Sequence, residues 1–206
     1  MILYGSTRSP FVRKVLIVAH ELGLADAIAL RPVIVSNTAR DAEIGAVNPL
    51  GQIPAMVLDD GTALYDSLVI CLYLAARAGE NRVLPADGPA HWDVLTRHAL
   101  GQGLAESLVK LFGERRRSDD PLGAAVAAAL TEKIEHGFHA ASAREWLAGR
   151  FDLGDIALAG AIAYADFRFP AIDWRAAGLG PFYTAALARP SMQATALAGT
   201  SPNPAP

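Results

Sequence analysis

The sequence predicts an α/β domain over residues 1–80 followed by an all-helical domain over residues 89–200, on three observations. In the first eighty residues the hydrophobic pattern changes its period repeatedly, as it does where strands and helices alternate. From about Pro89 onward the strand pattern disappears, and Leu, Ala and charged residues recur at helical spacing. Residues 84–89, Leu-Pro-Ala-Asp-Gly-Pro, have the composition of a linker and separate the two patterns.

The first elements are a strand, a loop and a helix. Residues 2–4 predict a short strand and residues 5–8 a loop. Ser9 and Pro10 predict a helix start, because Ser is a favoured N-cap and Pro is tolerated at the first helical position. Apolar residues follow at helical spacing as far as Gly23, a residue type that favours a helix end.

The rest of the first domain contains a second strand, a hairpin and another helix. Residues 28–35 predict the strand, despite an internal proline, and an irregular segment follows. Residues 55–65 predict the hairpin, because the Asp-Gly pair in its turn suits the positive φ angles of a tight turn. Asp66 and Ser67, both favoured capping residues, then open a helix over residues 68–78.

The second domain begins with two long helices, over residues 91–116 and 122–148. A further helix begins near Asp152, which can act as its N-cap. Asp155 stands at the third helical position and can complete a capping box, and Phe151 can pack on Ile156 as a hydrophobic staple.

Composition excludes several classes of protein. The 206 residues include 18 basic and 21 acidic side chains, and this lack of net positive charge argues against nucleic acid as a partner. Although 52% of residues are hydrophobic, the apolar runs end far short of the ~20 residues that a spanning helix needs. The single cysteine, Cys71, excludes a disulfide scaffold, a four-thiolate zinc site and an internal dithiol couple. We therefore expect a soluble cytoplasmic protein without a bound metal or a membrane partner.

Three segments of the first domain carry a family resemblance. They are residues 4–14 (Tyr-Gly-Ser-Thr-Arg-Ser-Pro-Phe-Val-Arg-Lys), 48–54 (Asn-Pro-Leu-Gly-Gln-Ile-Pro) and 64–67 (Leu-Tyr-Asp-Ser). In this order and at these separations they resemble the glutathione S-transferase family. The resemblance implies a thioredoxin-like N-terminal domain, an all-helical C-terminal domain and a homodimer. It also implies a role in detoxification, with glutathione as co-substrate and no tightly bound cofactor.

Ser9 is the candidate catalytic residue. A hydroxyl at a helix N-terminus lies beside unpaired N–H groups and the positive end of the helix dipole, which favours an anion. By resemblance, Ser9 donates a hydrogen bond to the glutathione thiolate. Because serine cannot form a mixed disulfide, a serine at this position indicates either conjugation of glutathione to an electrophile or peroxide reduction by the glutathione thiolate. Two other interpretations stay open: that Ser9 only caps its helix, and that Thr7 contacts the thiol. Tyr4 is interpreted as a core residue.

Five further residues are implied to hold glutathione. Pro54 would follow a cis peptide bond, Ile53 would pair through its backbone with the cysteinyl part, and Gln52 would bond the peptide backbone or a carboxylate. Asp66 would bind the γ-glutamyl ammonium group and Ser67 its carboxylate. Taken alone, Pro54 is also typical of the start of a strand, and the pair Asp66 and Ser67 is also typical of a helix cap.

The electrophile pocket is implied to lie between the domains, with Phe11, Leu104, Leu108 and Phe112 as its walls. Such an apolar pocket predicts a small hydrophobic electrophile. Two alternatives remain on the same fold. One is a glutathione-dependent peroxidase or disulfide reductase, and the other is a glutathione-binding interaction protein without turnover.

Overall fold

The computed structural model describes residues 1–36, 39, 41–79, 81–115, 120–146 and 150–197. The chain divides into two compact units. The first contains Met1–Ala86 together with the segment that begins at Pro190, and the second contains Asp87–Arg189. Residues 80 and 200, the predicted domain ends, lie outside the described residues.

The first unit contains a mixed four-stranded sheet and the helices that flank it in sequence. The strand order is β2-β1-β3-β4, with β1 and β2 parallel and the other neighbours antiparallel. The bounds are β1 Ile2–Gly5, α1 Pro10–Glu21, β2 Ala29–Pro32, α2 Ala42–Val47, β3 Ala55–Val57, β4 Ala63–Leu64 and α3 Ser67–Ala78, with a 3-10 turn at Ala25–Ala27. The predicted α/β class of this part of the chain is confirmed.

The junction between β1 and α1 follows the predicted local pattern. Ser9 is the N-cap of α1, and its hydroxyl oxygen accepts a hydrogen bond from the Val12 N–H at 3.4 Å. Gly5, at the end of β1, lets the helix approach the strand closely: a Cβ at this position would lie 2.5 Å from Cγ2 of Val12. Any larger residue at Gly5 would therefore displace the helix that carries Ser9.

Two predictions in the first unit were wrong in detail. Residues predicted to be irregular contain α2, which Asp41 caps by accepting a hydrogen bond from the Ile44 N–H at 3.0 Å. This helix has only six residues with Gly45 among them, too short for a helical period to be visible. The second strand is also shorter than residues 28–35. Its pairing ends at Pro32 because its partner β1 ends opposite, at Gly5.

The last helix, α8 (Pro190–Ala194), packs on α1 within the first unit. The buried Arg13 guanidinium donates a hydrogen bond to the Met192 carbonyl at 3.0 Å. The Ser191 hydroxyl donates to the Glu21 carboxylate at the other end of α1. The helix that begins at Ser9 is thus held along its length by residues about 180 positions away in sequence.

The second unit is helical throughout its described secondary structure. Its elements are α4 Gly88–Glu114, α5 Pro121–Ser142, α6 Leu153–Arg168, a 3-10 turn at Trp174–Ala177 and α7 Gly180–Leu187. The predicted second helix extends too far, because α5 ends at Ser142 and residues 147 and 148 lie outside the described residues. Among the described helices, none combines the length and the apolar character needed to cross a membrane.

The start of α6 is a buried ionic network. Asp152 caps the helix and Asp155 bonds back to the Asp152 N–H, so the predicted capping box is confirmed. The Arg97 guanidinium of α4 donates to Asp152 at 2.9 Å and to Asp155 at 3.1 Å. Burial alone would raise the pKa of Asp152, but hydrogen bonds from Arg97 and Arg150 lower it below its usual value. This network fixes α6, whose first thirteen residues are all buried, against α4.

A pair of glycines on α4 tests the packing of α4 on α6. A Cβ at Gly101 would lie 2.5 Å from the Leu158 backbone nitrogen, whereas a Cβ at Gly103 would meet nothing within 4 Å. We expect Gly101→Ala to destabilise the protein by about 1–3 kcal/mol through overpacking. Gly103→Ala, the matched control, should stabilise it by about 0.5–1 kcal/mol because alanine favours the helix. Urea denaturation of both variants measures the difference, and equal effects would contradict the close α4–α6 contact.

Candidate functional site

The strand register brings the three motif segments to one end of the sheet. Tyr4 near the end of β1 lies opposite Ala55 at the start of β3, and Met56 lies opposite Leu64 at the end of β4. At this end of the sheet lie the loop after β1, the segment before β3 and the segment after β4. These segments contain Ser9, residues 52–54, and Asp66 with Ser67.

Ser9 lies partly exposed at the N-terminus of α1. Its hydroxyl oxygen accepts from the Val12 N–H, which leaves its own proton available for donation. The Phe11 N–H of the same first turn has no hydrogen-bond partner among the described residues. A hydroxyl proton and a backbone N–H at the positive end of a twelve-residue helix form a favourable environment for an anion. Thr7 lies exposed two residues earlier.

The loop before β3 is organised by Asn48, to which the sequence analysis gave no role. This side chain is 3% exposed; its amide donates to the Gln52 carbonyl at 2.9 Å and its carbonyl oxygen accepts from the Leu50 N–H at 3.1 Å. The turn also requires a positive φ of 64° at Gly51. The signal was available in the sequence, because asparagine commonly bonds the backbone two residues further along.

The segment that ends this loop presents backbone groups. The Ile53–Pro54 peptide bond is cis. No hydrogen bond to a described residue uses the backbone N–H or C=O of Ile53, while its side chain packs against a cluster of Val33, Ile44 and Ala55. Tyr4 packs on the same cluster.

Gln52 has an exposed side chain at this end of the sheet. Its backbone carbonyl is engaged by Asn48, so the loop is fixed while the Gln52 amide group remains accessible to solvent. A fixed backbone with an accessible amide side chain is suited to hydrogen bonding a peptide ligand.

Asp66 and Ser67, which open α3 shortly after β4, have different roles. Asp66 is the N-cap of α3, and its exposed carboxylate accepts from the Leu68 N–H at 3.0 Å. Ser67 is the first helical residue and is 1% exposed. Neither its hydroxyl nor its backbone N–H bonds a described residue. Capping therefore explains Asp66 but leaves the Ser67 groups available at the N-terminus of a second helix.

Cys71 lies on the buried face of α3 and is 1% exposed. Burial raises the pKa of its thiol to about 12, although the charge of Lys14 acts in the opposite direction. A thiol with such a pKa is protonated at neutral pH and is a poor nucleophile.

The four candidate wall residues of the electrophile pocket differ in exposure. Phe11, on α1, and Phe112, on α4, are each partly exposed. Leu108 has no accessible surface, and Leu104 is 4% exposed, with its Cδ2 at 2.7 Å from where a Cβ on Gly137 of α5 would lie. The two phenylalanines thus have surface to offer a ligand, whereas the two leucines are packed in the interior.

Comparison with known proteins decides the family. The family described as "Glutathione S-transferase, N-terminal domain" matches residues 8–77, which include Ser9, residues 52–54 and the start of α3. A crystal structure of a glutathione transferase family member from Pseudomonas fluorescens Pf-5 with bound glutathione is 36% identical, with a TM-score of 0.90 over 96% of this chain and 99% of that one. The chain belongs to the glutathione S-transferase family. The thioredoxin-like N-terminal domain and the glutathione S-transferase fold are thereby confirmed.

Other relatives agree with this membership. A glutathione S-transferase of Methylobacillus flagellatus KT, solved with glutathione bound, is 32% identical with a TM-score of 0.82 over 96% of this chain and 99% of that one. Glutathione S-transferase GstA of Escherichia coli O157:H7 is 34% identical over 116 residues, which are 53% of this chain and about half (55%) of that protein. Glutathione is thus the ligand seen in solved members of this glutathione S-transferase family.

Proposed function

We propose that the protein is a glutathione transferase that conjugates glutathione to small hydrophobic electrophiles, with Ser9 stabilising the thiolate. The observation that carries this proposal is the donor set at one end of the sheet. It joins the Ser9 hydroxyl at the start of α1 with the backbone N–H and C=O of Ile53 and with the hydroxyl and N–H of Ser67; these groups of Ile53 and Ser67 bond no other described residue. A thiolate, an extended peptide and a carboxylate complement these three groups in turn.

Ser9 acts as a hydrogen-bond donor in this mechanism. A free thiol has a pKa near ~8.5 and is mostly protonated at neutral pH. Donation from the Ser9 hydroxyl and the α1 N-terminus favours the charged sulfur, so the thiol proton passes to solvent. Ser9 keeps its own proton, because an aliphatic hydroxyl is a much weaker acid than the thiol whose anion it stabilises; its oxygen at the same time accepts from the Val12 N–H as the cap of α1.

The rest of the site holds the tripeptide by its backbone and charged end. The N–H and C=O of Ile53 pair with the cysteinyl residue in the manner of an added strand. The γ-glutamyl carboxylate accepts from the Ser67 hydroxyl and N–H, and its ammonium group lies near the Asp66 carboxylate. Gln52 bonds the peptide through its exposed amide. Asn48 acts as a positioning residue, because it fixes the loop that carries these contacts.

Conjugation then proceeds by attack of the thiolate on an electrophilic carbon. For an aryl chloride, the C–S bond forms, the C–Cl bond breaks, and chloride leaves with the bonding electrons. Phe11, partly exposed in the first turn of α1 two residues after Ser9, supplies apolar surface for the electrophile. A neighbour from Pseudomonas fluorescens Pf-5, 35% identical, was solved with S-(propanoic acid)-glutathione, a glutathione substituted on sulfur, which supports conjugation as the reaction type.

An activity panel tests this function against its alternatives. Steady-state rates with glutathione are measured for 1-chloro-2,4-dinitrobenzene, cumene hydroperoxide and a glutathione mixed disulfide. We expect the highest catalysed rate over background with the aryl chloride. Dominant turnover of the hydroperoxide or the disulfide would establish the reductase alternative instead. Glutathione binding without turnover of any of the three would identify a binding protein.

The Ser67→Ala variant tests the proposed γ-glutamyl site. Because Asp66 caps α3, removal of the Ser67 hydroxyl leaves the cap in place, and the loss falls on the ligand. A hydrogen bond to a charged group contributes ~1.5–3 kcal/mol, so the glutathione Kd should rise about tenfold or more. Isothermal titration calorimetry measures this, with Ser142→Ala, an exposed helix hydroxyl of the second unit, as the matched control. An unchanged Kd would remove Ser67 from the site.

We also infer a homodimer. In the first unit, Leu50 is 71% exposed, Val69 is 43% exposed and Tyr65 is 37% exposed. Large apolar side chains exposed in this way are typical of a surface that is covered by a partner. Light scattering tests the inference: a molar mass of twice the 21.7 kDa chain supports it, and the mass of one chain contradicts it.

A further inference from the structure

The start of α1 is tied to α8, which belongs to the same unit of the chain. Arg13 is buried, and its guanidinium donates a hydrogen bond to the Met192 carbonyl at 3.0 Å. Its backbone N–H donates at 3.0 Å to the carbonyl of Ser9, the proposed donor to the thiolate. Arg13 therefore connects the N-cap of α1 to a segment about 180 positions away in sequence.

The hydrogen bond from Arg13 satisfies one end of α8. Met192 provides one of the last four carbonyls of this helix, which have no partner within it. The helix dipole favours a cation at this end, and a charged donor makes a hydrogen bond about twice as strong as a neutral donor does. A five-residue helix is not stable by itself in water. The conformation of α8 and the placement of Arg13 thus depend on each other.

A second contact fixes the other end of α1. The Ser191 hydroxyl donates to the carboxylate of Glu21, the last residue of α1. Arg13, Ile17 and Glu21 are spaced four residues apart and so share one face of the helix, and Ile17 has no accessible surface. Because a helix rises about 1.5 Å per residue, Glu21 lies about 18 Å from Ser9 along the axis, whereas Arg13 lies about one turn from it. Of the two contacts, the one made by Arg13 is the one that can control the position of the Ser9 hydroxyl.

We propose that Arg13 is a positioning residue for the glutathione thiolate. This inference rests on the proposed function, in which the Ser9 hydroxyl donates to the sulfur. A hydrogen bond weakens steeply when its distance or angle departs from the preferred values, and a displacement of about 1 Å can lower a rate by about 100-fold. By tying the start of α1 to α8, Arg13 keeps the Ser9 hydroxyl in the geometry that stabilises the charged sulfur.

The same contact couples α8 to the thiolate. If the docked position of α8 favours thiolate binding, thermodynamic linkage requires that thiolate binding stabilises the docked helix by the same free energy. The charges of Arg13 and of Lys14, the buried residue that follows it, also act on a nearby anion through space. Because that action does not require α8, the stability of α8 with and without a bound thiolate separates the two explanations.

Hydrogen–deuterium exchange of the wild-type protein tests this coupling. Amide exchange of residues 191–197 is followed without ligand, with saturating glutathione, and with saturating S-methylglutathione, which keeps the peptide contacts but cannot form a thiolate. We expect glutathione to slow exchange in this segment at least about twofold, and S-methylglutathione to slow it much less. The helix α7, in the second unit, is the internal control and should exchange equally in all three samples. Equal exchange of residues 191–197 with the two ligands would overturn the inference.

Substitutions assign the effect to one side chain. Arg13→Met removes the donors, so it should raise the thiol pKa in the complex toward the free value of ~8.5 and lower kcat/KM for 1-chloro-2,4-dinitrobenzene by about tenfold. The KM for glutathione should stay within about twofold, because Ile53 and Ser67 still hold the peptide. Arg13→Lys, which keeps a charged donor for the Met192 carbonyl, should recover much of the loss. Ser191→Ala, the matched control, removes the contact at the far end of α1 and should leave the thiol pKa unchanged.

The outcomes distinguish this inference from the proposed function. A thiol pKa that stays at the wild-type value in Arg13→Met would overturn the inference, and so would an equal rise in Ser191→Ala. Conjugation by the wild type would leave the proposed function intact in both cases. If Arg13→Met does not fold, the exchange experiment on the wild type decides alone. Absence of catalysed turnover of 1-chloro-2,4-dinitrobenzene by the wild type would overturn the proposed function, and this inference with it.

Discussion

Replacement of Ser9 by alanine is expected to lower kcat/KM for conjugation by about 10- to 100-fold, while the glutathione Kd stays within about twofold. The tripeptide would still be held by Gln52, Ile53 and Ser67. The thiol would lose the donor that favours its charged form, so a smaller fraction would be ionised at neutral pH. Steady-state kinetics and calorimetry on the same preparation separate the two effects.

The Ser9 test needs controls for the helix cap and for the neighbouring hydroxyl. Ser9→Ala also removes the acceptor for the Val12 N–H, which costs about 0.5–2 kcal/mol of stability. Ser9→Gly removes the same hydroxyl at a cost of only about a few tenths of a kcal/mol, so it should show the same kinetic defect in a more stable protein. Thr7→Ala should leave turnover unchanged. If Thr7→Ala carries the defect and Ser9→Gly does not, Thr7 is the residue that contacts the thiol.

Asp152→Ala is expected to have the largest effect on stability, a loss of about 3–5 kcal/mol in the free energy of unfolding. Asp152 has no accessible surface, and its removal would leave the Arg97 guanidinium, 3% exposed, without its principal partner. It would also remove the cap of α6, which accepts from the N–H groups of Gly154 and Asp155. Urea denaturation measures the loss. As matched control, Asp120→Ala removes a partly exposed cap of α5 and should cost only about 0.5–2 kcal/mol.

The effect of Asp152 should depend on pH in a defined direction. Its pKa is lowered in the folded protein, where Arg97 and Arg150 stabilise the charged form against the cost of burial. Its stabilising contribution is therefore complete above the unfolded value of about 3.9 and is lost as the pH falls below it. The difference in the free energy of unfolding between wild type and Asp152→Ala should be constant from pH 7 to about pH 5 and should shrink at lower pH. A difference that grows with acidification would contradict the assigned shift.

Local signals in the sequence predicted the helix starts of this structure well. Capping depends on three or four consecutive residues, so Ser9-Pro10 and the box formed by Asp152 and Asp155 could be recognised without tertiary information. The β3–β4 hairpin was predicted for the same reason, because its turn residues carry the required backbone conformation. The family resemblance then connected segments that local patterns could not connect.

Features that depend on distant contacts were not predictable in this way. The packing of α8 on α1 joins Arg13 to Met192, and nothing in either segment indicates the other. The same holds for Arg168, whose position against Phe112 arises from the crossing of α4 and α6. The helix α2 was missed for a different reason, since six residues around a glycine are too few to show a period. The sequence alone could not decide which of Asp66 and Ser67 caps α3, since both are favoured capping residues. The structure shows that Asp66 is the N-cap.

In the proposed mechanism, this protein lowers the pKa of the glutathione thiol through Ser9. This step is tested by titration of glutathione in the complex, with the ultraviolet absorbance of the thiolate followed against pH for wild type and for Ser9→Gly. We expect a thiol pKa at least about one unit below the free value of ~8.5 in the wild-type complex, and a return toward that value in the variant. An unshifted pKa in the wild-type complex, or a shift that Ser9→Gly retains in full, would contradict this mechanism.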